Sequence, residues 1–168
     1  TQRWTQMDEL AQRSKKCVKV CFEMTAHLVA EKDLTRNQEQ LIQALLLAAF
    51  PQYENIWSRH TFWGGPAEYR LWLEQDKRII AHLGFAKRDI KVGNDEVVIT
   101  GIGAVATHPD LQERGVGKHL FAELRKTLLE QFPVDFAFLE CREAVIGFYE
   151  KAGFTLYRQT TYCFHPGK

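Results

Sequence analysis

Residues 105–118 carry the clearest chemical signal in the chain. A predicted strand ends there, a turn containing Gly115 and Gly117 follows, and an amphipathic helix begins at once. The first turn of a helix leaves backbone N–H groups unpaired, and the helix dipole adds about half a positive charge at that end. Glycines without a Cβ let an anion approach those amides, and Arg114 and Lys118 add two cations. The segment therefore predicts a pyrophosphate-binding turn.

The spacing of this turn separates it from two common phosphate-binding loops. Gly115 and Lys118 do not fit the G-x4-G-K-[ST] pattern of nucleotide triphosphatases, and Leu120 stands where G-x-G-x-x-G needs its third glycine. The remaining pattern is Q-x-x-G-x-G, beginning at Gln112. An isolated G-x-G is more often a structural turn, but the complete pattern directly after a strand favours the anion site.

The composition is that of a globular domain. The 168 residues are 45% hydrophobic and 26% charged, with a net charge of +1. These values exclude a disordered chain and argue against a dedicated nucleic-acid-binding protein. The longest apolar run, residues 44–50, is far shorter than the ~20 residues of a membrane-spanning helix, so we expect no membrane span.

The cysteines and the first residues predict the compartment. Four cysteines are too few and too scattered for a disulfide framework, and Cys17 and Cys21 lack the spacing of a zinc site. We therefore expect no metal. No charged and then apolar leader opens the sequence, which predicts a cytoplasmic protein.

Hydrophobic spacing predicts the elements that position the turn. Helical spacing predicts helices at residues 41–49, 116–132 and 144–152, and alternation predicts strands between and around them. Residues 1–16 are predicted to form an N-terminal arm, and residues 17–168 a single domain. The element order predicts an α/β (α+β) fold with a mixed sheet and helices on both faces. Strands are predicted at residues 18–24, 69–73, 79–92, 96–106, 136–141, 154–157 and 161–164.

Two motifs resemble those of the GCN5-related N-acetyltransferases (GNATs). The Q-x-x-G-x-G turn of residues 112–117 is similar to the turn that holds the pyrophosphate of coenzyme A in this family. Residues 147–154, GFYEKAGF, resemble the family's C-terminal Y-E-K-x-G-F segment. The resemblance implies the GNAT fold, a mixed and mostly antiparallel sheet of about seven strands with helices on both faces.

The same resemblance implies an acyl donor, namely acetyl-CoA or another short acyl-CoA. The strand before the turn would hold the thioester and pantetheine through its backbone, with an amide near Val105 stabilising the oxyanion. The turn would hold the pyrophosphate. The residues implied are Val105, Ala106, Thr107, Gln112, Arg114, Gly115, Val116, Gly117 and Lys118.

A narrower resemblance connects residues 63–70, 81–84, 88–93 and 109–111 with the nodulation N-acyltransferases of the NodA type. Aminoglycoside 2′-N-acetyltransferases share a weaker version, and both groups acylate amines on amino sugars. The resemblance implies a primary amine acceptor on a small molecule or an amino sugar. The residues that would bind this acceptor are Trp63, Glu68 and Arg70.

Three side chains are candidates for proton transfer. Tyr149 lies in the second motif, and a phenol with an ordinary pKa of ~10 suits protonation of a departing thiolate. His82 is a candidate base on a central predicted strand, at residues 79–92. Glu140, on the predicted strand at residues 136–141, is a second candidate base. Each has a structural alternative, with Tyr149 and His82 as core residues and Glu140 as an ion-pair partner of Arg142.

Two departures from these families leave alternatives open. The NodA-type pattern lacks the complete Q-x-x-G-x-G, which is consistent with long-chain transfer from acyl carrier protein, whereas the complete motif here favours CoA. The relatives also carry a glutamate on the strand before the turn, where this chain has Thr100, Gly101, Ile102 and Gly103. That difference allows a third interpretation, an inactive CoA-binding module. A homodimer formed through residues 1–16 is left open.

Overall fold

The sheet that carries the candidate site has five strands within residues 23–62 and 65–158, the part of the chain that a computed structural model describes. The strands lie side by side in chain order. Neighbours from the first to the fourth are antiparallel, and the fourth and fifth are parallel. They are β1 Thr25–Ala30, β2 Tyr69–Gln75, β3 Arg78–Val92, β4 Asp95–Thr107 and β5 Phe136–Leu139.

The parallel pair of strands separates early. β5 ends with Leu139 opposite Ile102, while β4 continues to Thr107. Residues 103, 106 and 107 therefore pair with β3 on one side, and the segment 103–107 has no strand partner among the described residues on the other. We call this unpaired side of β4 the open edge.

Each helix begins and ends at a recognisable signal. The helices are α1 Arg36–Ala49, α2 Glu54–Trp57, α3 Val116–Gln131 and α4 Ile146–Lys151. A capping box between Thr35 and Gln38 begins α1, and the helix ends before Pro51 because helical conformations are disfavoured before proline. None of the helices in the described part of the chain is long and apolar enough to cross a membrane.

Buried side chains form one cluster on each face of the sheet. Leu71 and Leu73 of β2 belong to the cluster that includes α3, whereas Trp72 between them belongs to the cluster of α1 and α2. This alternation follows from the two-residue period of a strand. The expected mixed sheet with helices on both faces is confirmed.

The number of strands differs from the expected seven. Residues 161–164 and 18–22 lie outside the described residues, and the first described strand begins at Thr25, after the predicted segment 18–24. Residues 154–157 were predicted as a strand but form neither strand nor helix. An extended segment becomes a strand only by pairing, and none of the described strands pairs with this one.

Candidate active site

The predicted anion-binding turn lies between the end of β4 and the start of α3. Gly115 occupies the N-cap position with φ of +83°, a left-handed conformation that glycine adopts without steric cost. The Gln112 side chain donates a hydrogen bond from Nε2 to the carbonyl oxygen of Thr107 at 3.3 Å. The glycine turn, as we call residues 112–118, is thereby tied to the last residue of the open edge.

The glycine turn presents positive charge to solvent. The first backbone bond of α3 runs from the N–H of His119 to the carbonyl of Gly115, so the N–H groups of the three residues between them have no intrahelical partner. Arg114 and Lys118 are exposed, and neither forms an ion pair within the described residues. Amides, helix dipole and two cations thus act together on an anion there.

Gly117 has a packing role that the sequence pattern did not reveal. A Cβ on Gly117 would lie 2.9 Å from Cζ of Phe148 and 3.4 Å from Oγ1 of Thr107. The missing side chain therefore lets the aromatic ring of α4 sit against the first turn of α3. This contact places the second sequence motif beside the first.

A β-bulge interrupts the pairing of β4 with β3, in the part of β4 that has the open edge on its other side. His82 of β3 lies opposite Ala106 and Gly84 opposite Gly103, so β4 has one residue more than β3 in this interval. Ala104 has φ of +50°, in the left-handed region that is uncommon for alanine. The bulge includes Val105, the first of the three β4 residues predicted to bind the donor.

His82 is fully buried and contacts this bulge. Its Nδ1 lies 3.0 Å from the carbonyl oxygen of Ala104. Burial, and then the nearby Arg70 guanidinium, lower the pKa of His82 to about 3, although the bond to Ala104 opposes the shift. The imidazole is therefore neutral at ordinary pH, and it is a much weaker base than a solvent-exposed histidine.

Tyr149 and Glu140 line one cleft of about 440 Å³ between β5, α4 and residues 154–157. The Tyr149 ring meets Phe121 edge-on, with centroids 5.7 Å apart. Burial and the neighbouring Cys141 raise the pKa of Tyr149 to about 12, against a lowering by Arg142. The phenol thus keeps its proton at physiological pH and is available as a donor.

Arg70, a predicted acceptor-binding residue, is fully buried on the face of the sheet opposite α3. It bonds the Glu31 carboxylate through two nitrogens, one of them Nη2 at 2.9 Å. The same guanidinium donates to the Thr61 carbonyl at 2.6 Å and to the Thr61 hydroxyl at 3.1 Å. We call Arg70, Glu31 and Thr61 the Arg70 clamp, because they tie three segments of the chain together.

Glu68 is likewise held by protein groups. Its carboxylate accepts hydrogen bonds from the Lys87 N–H and from Arg88 Nη1, both at 3.0 Å. Its own N–H donates to the carbonyl of Phe85. The third predicted acceptor residue, Trp63, lies outside the described residues.

The structure separates the predicted site residues into two groups. The open edge, the glycine turn and Tyr149 come together on the side of α3 and α4, and Glu140 shares the Tyr149 cleft. Glu68 and Arg70 belong to a bonded network around the 61–68 loop. Among the described residues, no cluster of three or more His, Cys, Asp or Glu side chains offers a metal site.

Sequence reasoning missed Ala104 and Phe148, which shape the first group. A left-handed alanine leaves no pattern in the sequence, because its neighbours in space rather than its own type enforce it. Phe148 stands inside the C-terminal motif, and its position before Tyr149 was a signal that could have been used.

Comparison with known proteins identifies both the family and the fold. The model of the nodulation protein A (NodA) family matches residues 21–162. Nodulation protein A of Mesorhizobium sp. (strain 7653R) is 32% identical over 82 residues, which are 49% of this chain and 41% of that protein. The chain thus spans less than half the length of the curated relatives it matches.

Solved structures share the fold at low sequence identity. Glucosamine-6-phosphate N-acetyltransferase from Arabidopsis thaliana is 15% identical with a TM-score of 0.57, covering 84% of this chain and 99% of that one. An aminoglycoside acetyltransferase from an uncultured soil metagenomic sample is 16% identical with a TM-score of 0.59, covering 86% and 97%. These likenesses confirm the expected GNAT fold. Because the family match extends over most of its residues, this chain belongs to the nodulation protein A (NodA) family.

Proposed function

We propose that this protein is an N-acyltransferase that moves an acetyl or short acyl group from acyl-CoA to a primary amine of a small molecule or amino sugar. The observation that carries the proposal is the glycine turn, with Gly115 at φ of +83° and two cations that form no ion pair within the described residues, joined by Gln112 to the open edge of β4. A phosphate-bearing thioester fits this arrangement. Its pyrophosphate would lie at the turn and its pantetheine along the backbone of residues 105–107.

The chemistry asked of these residues is a simple exchange of bonds. The neutral amine attacks the thioester carbonyl carbon, a C–N bond forms, and the C–S bond breaks. The carbonyl oxygen carries negative charge in between, and the Val105 N–H is the donor we assign to it. The thiolate takes up one proton and the amine gives up one.

Tyr149 is the donor that we assign to the departing thiolate. Its pKa of about 12 keeps it protonated, and its half-buried ring lines the cleft between β5, α4 and residues 154–157. A positioned general acid of this kind contributes about 100-fold or more to the rate.

Glu140 is our candidate for the base, with a relayed water as the alternative. It lines the same cleft as Tyr149, whereas His82 is fully buried and has a pKa of about 3. A group with so low a pKa takes up almost no proton near neutrality. The two candidate bases from the sequence therefore have different roles in the proposal.

The amino-sugar acceptor is supported by the NodA family membership and by the acceptors named for two proteins of the same fold, glucosamine-6-phosphate and aminoglycosides. On the face of β4 opposite α3, Cβ atoms on Gly101 and Gly103 would meet little within the described residues. Small residues leave room beside the bulge for a ring-shaped acceptor.

A second donor is favoured by the family itself. Transfer of a longer acyl chain from acyl carrier protein uses the same phosphopantetheine arm, and the NodA match makes this the principal alternative. Two basic residues of β3 that could meet an acidic partner form ion pairs within the chain, Arg88 with Glu68 and Lys91 with Glu96. By contrast, Arg114 and Lys118 are unpaired among the described residues, which favours a negatively charged donor at the turn.

A product assay tests the proposal. The protein is incubated with acetyl-CoA, octanoyl-CoA or long-chain acyl carrier protein and a panel of amino sugars, and the amide is detected by mass spectrometry. We expect product with a CoA thioester, and about tenfold higher donor KM in the double variant Arg114→Ala and Lys118→Ala. Arg125→Ala with Lys126→Ala, two exposed cations further along α3, is the matched control.

Each outcome of this assay has a distinct meaning. Product only with the loaded carrier replaces CoA by carrier protein as the donor. Binding of CoA without product from any amine favours an inactive CoA-binding module. No binding and no product with any donor contradicts the proposal.

A further inference from the structure

The hydrogen bond between His82 and Ala104 defines the tautomer of the histidine. A carbonyl oxygen only accepts, so Nδ1 carries the proton and donates it over 3.0 Å. The other ring nitrogen, Nε2, is buried and has no hydrogen-bond partner among the described residues. A bare Nε2 is consistent with a neutral ring whose single proton is on Nδ1.

The backbone ladder does not hold the Ala104 peptide. Ala104 and Val105 have no Cα partner on β3, because the bulge inserts a residue between the pairs His82–Ala106 and Gly84–Gly103. The left-handed φ of +50° at Ala104 is unfavourable for alanine and persists only where neighbouring groups enforce it. The buried His82 side chain is such a group.

The orientation of one end of this peptide determines the other. The peptide is trans, as no cis bond occurs in the described part of the chain, so its C=O and N–H point in opposite directions. The Ala104 carbonyl points to His82 on β3. The Val105 N–H therefore points away from the His82 ring, and it lies on the part of β4 that continues beyond the end of β5 at Leu139.

We propose that His82 is a positioning residue, which holds the Ala104 carbonyl and thereby aims the Val105 N–H at the thioester carbonyl of the donor. The inference rests on the proposed acyl transfer. His82 touches neither substrate nor reacting atoms, and it acts through the peptide between Ala104 and Val105. Its effect is to orient an oxyanion donor before the reaction begins.

A pair of variants at His82 tests this role. In His82→Asn the amide Nδ2 takes the place of Nδ1 and retains the donor, whereas His82→Leu removes it at similar size. We expect kcat to fall by about 100-fold in the leucine variant, the cost of losing one oxyanion donor, with the donor KM little changed. The asparagine variant should recover most of kcat.

A control separates positioning from stability. Trp72 is the fully buried cross-strand neighbour of His82, and Trp72→Phe disturbs the packing on the same face while leaving the hydrogen bond between His82 and Ala104 in place. We expect it to lower the free energy of unfolding without the selective loss of kcat. Equal kcat losses in His82→Leu and Trp72→Phe, or an unchanged kcat in His82→Leu, would overturn the proposal.

Two measurements on the unliganded protein need no turnover. Nitrogen chemical shifts of His82 should report a protonated Nδ1 and a bare Nε2, and residual dipolar couplings should report a Val105 N–H vector that changes in His82→Leu but not in His82→Asn. The reverse tautomer, or an unchanged vector in His82→Leu, contradicts the positioning role. Absence of any acyl transfer with an intact tautomer and vector refutes the proposed function instead.

Discussion

The two polar regions of this molecule differ in what their charged groups contact. In the Arg70 clamp a buried guanidinium is bonded on all sides by Glu31 and Thr61. In the glycine turn Arg114 and Lys118 are exposed and form no ion pair within the described residues, and the first three N–H groups of α3 have no intrahelical partner. The first region uses its charge to hold the fold. The cations of the second region form no ion pair within the described residues and can bind an anionic ligand.

The largest expected effect is on the clamp. Replacing Arg70 by methionine leaves the Glu31 carboxylate and the Thr61 carbonyl without their partner, so the free energy of unfolding should fall by about 3 to 5 kcal/mol. Urea unfolding measures this. If the clamp is structural, CoA affinity stays unchanged in an Arg70→Met protein that remains folded. A loss of CoA affinity at unchanged stability would instead place Arg70 in the binding site.

The next largest effect is on Tyr149. In Tyr149→Phe we expect kcat to fall by about 100-fold while donor affinity is retained, because the ring keeps its packing and loses only the hydroxyl group that supplies the proton. Since the pKa of Tyr149 is raised to about 12, the wild-type kcat should show no loss below pH 10 from this group. Steady-state kinetics against pH checks both statements, and an equal kcat in the two proteins contradicts the role.

The third effect concerns stability in acid. His82 has a pKa lowered from 6.5 to about 3, so between these values the unfolded chain binds a proton that the folded one does not. Stability is therefore complete above pH 6.5 and is lost as the pH falls towards 3, with a slope from this group of about 1.4 kcal/mol per pH unit. His82→Asn should remove that slope.

Urea titrations of both proteins between about pH 4 and 6 measure the difference. Arg70, the charged group that acts on the imidazole, is present in both and cancels. If the free energies of unfolding of wild type and His82→Asn change with pH in parallel across this interval, the histidine is charged or exposed in the folded state.

The smallest effect is at the rim of the 61–68 loop. Arg88 pairs with Glu68 at 3.0 Å, with both side chains about half exposed. Arg88→Ala should cost under about 1 kcal/mol of unfolding free energy, because water and salt screen such pairs. Thermal unfolding at two salt concentrations checks this. A loss of unfolding free energy as large as that of Arg70→Met would show that this exposed ion pair stabilises the fold as strongly as the Arg70 clamp.

The sequence was most informative where structure is set locally. Gly115 and Gly153 stand at the left-handed positions that the turn and helix end require, and the turn at Gly93 lies between the two strands predicted at residues 79–92 and 96–106. The helix predicted at residues 41–49 ends at Ala49 in the structure, two residues before Pro51. Each depends on residues within one or two turns of chain.

The contacts that assign roles are long-range, and the sequence did not predict them. Glu31 reaches Arg70 across 39 residues, and His82 reaches the Ala104 carbonyl across 22. Neither partner belongs to a spacing motif. The NodA-type resemblance placed Arg70 in an acceptor site, and residue type made His82 a candidate base, whereas burial and bonding favour a clamp and a positioning residue.

A backbone amide titration with CoA, followed by nitrogen–proton correlation spectra, tests the central claim most directly. We expect the largest shifts at the amides of the glycine turn and of residues 105–107, with none at Thr61 or Arg70, and weaker binding in the Arg114→Ala and Lys118→Ala variant. Shifts centred on the Arg70 clamp, or no shift at the glycine turn with CoA and with acyl carrier protein alike, would contradict the account.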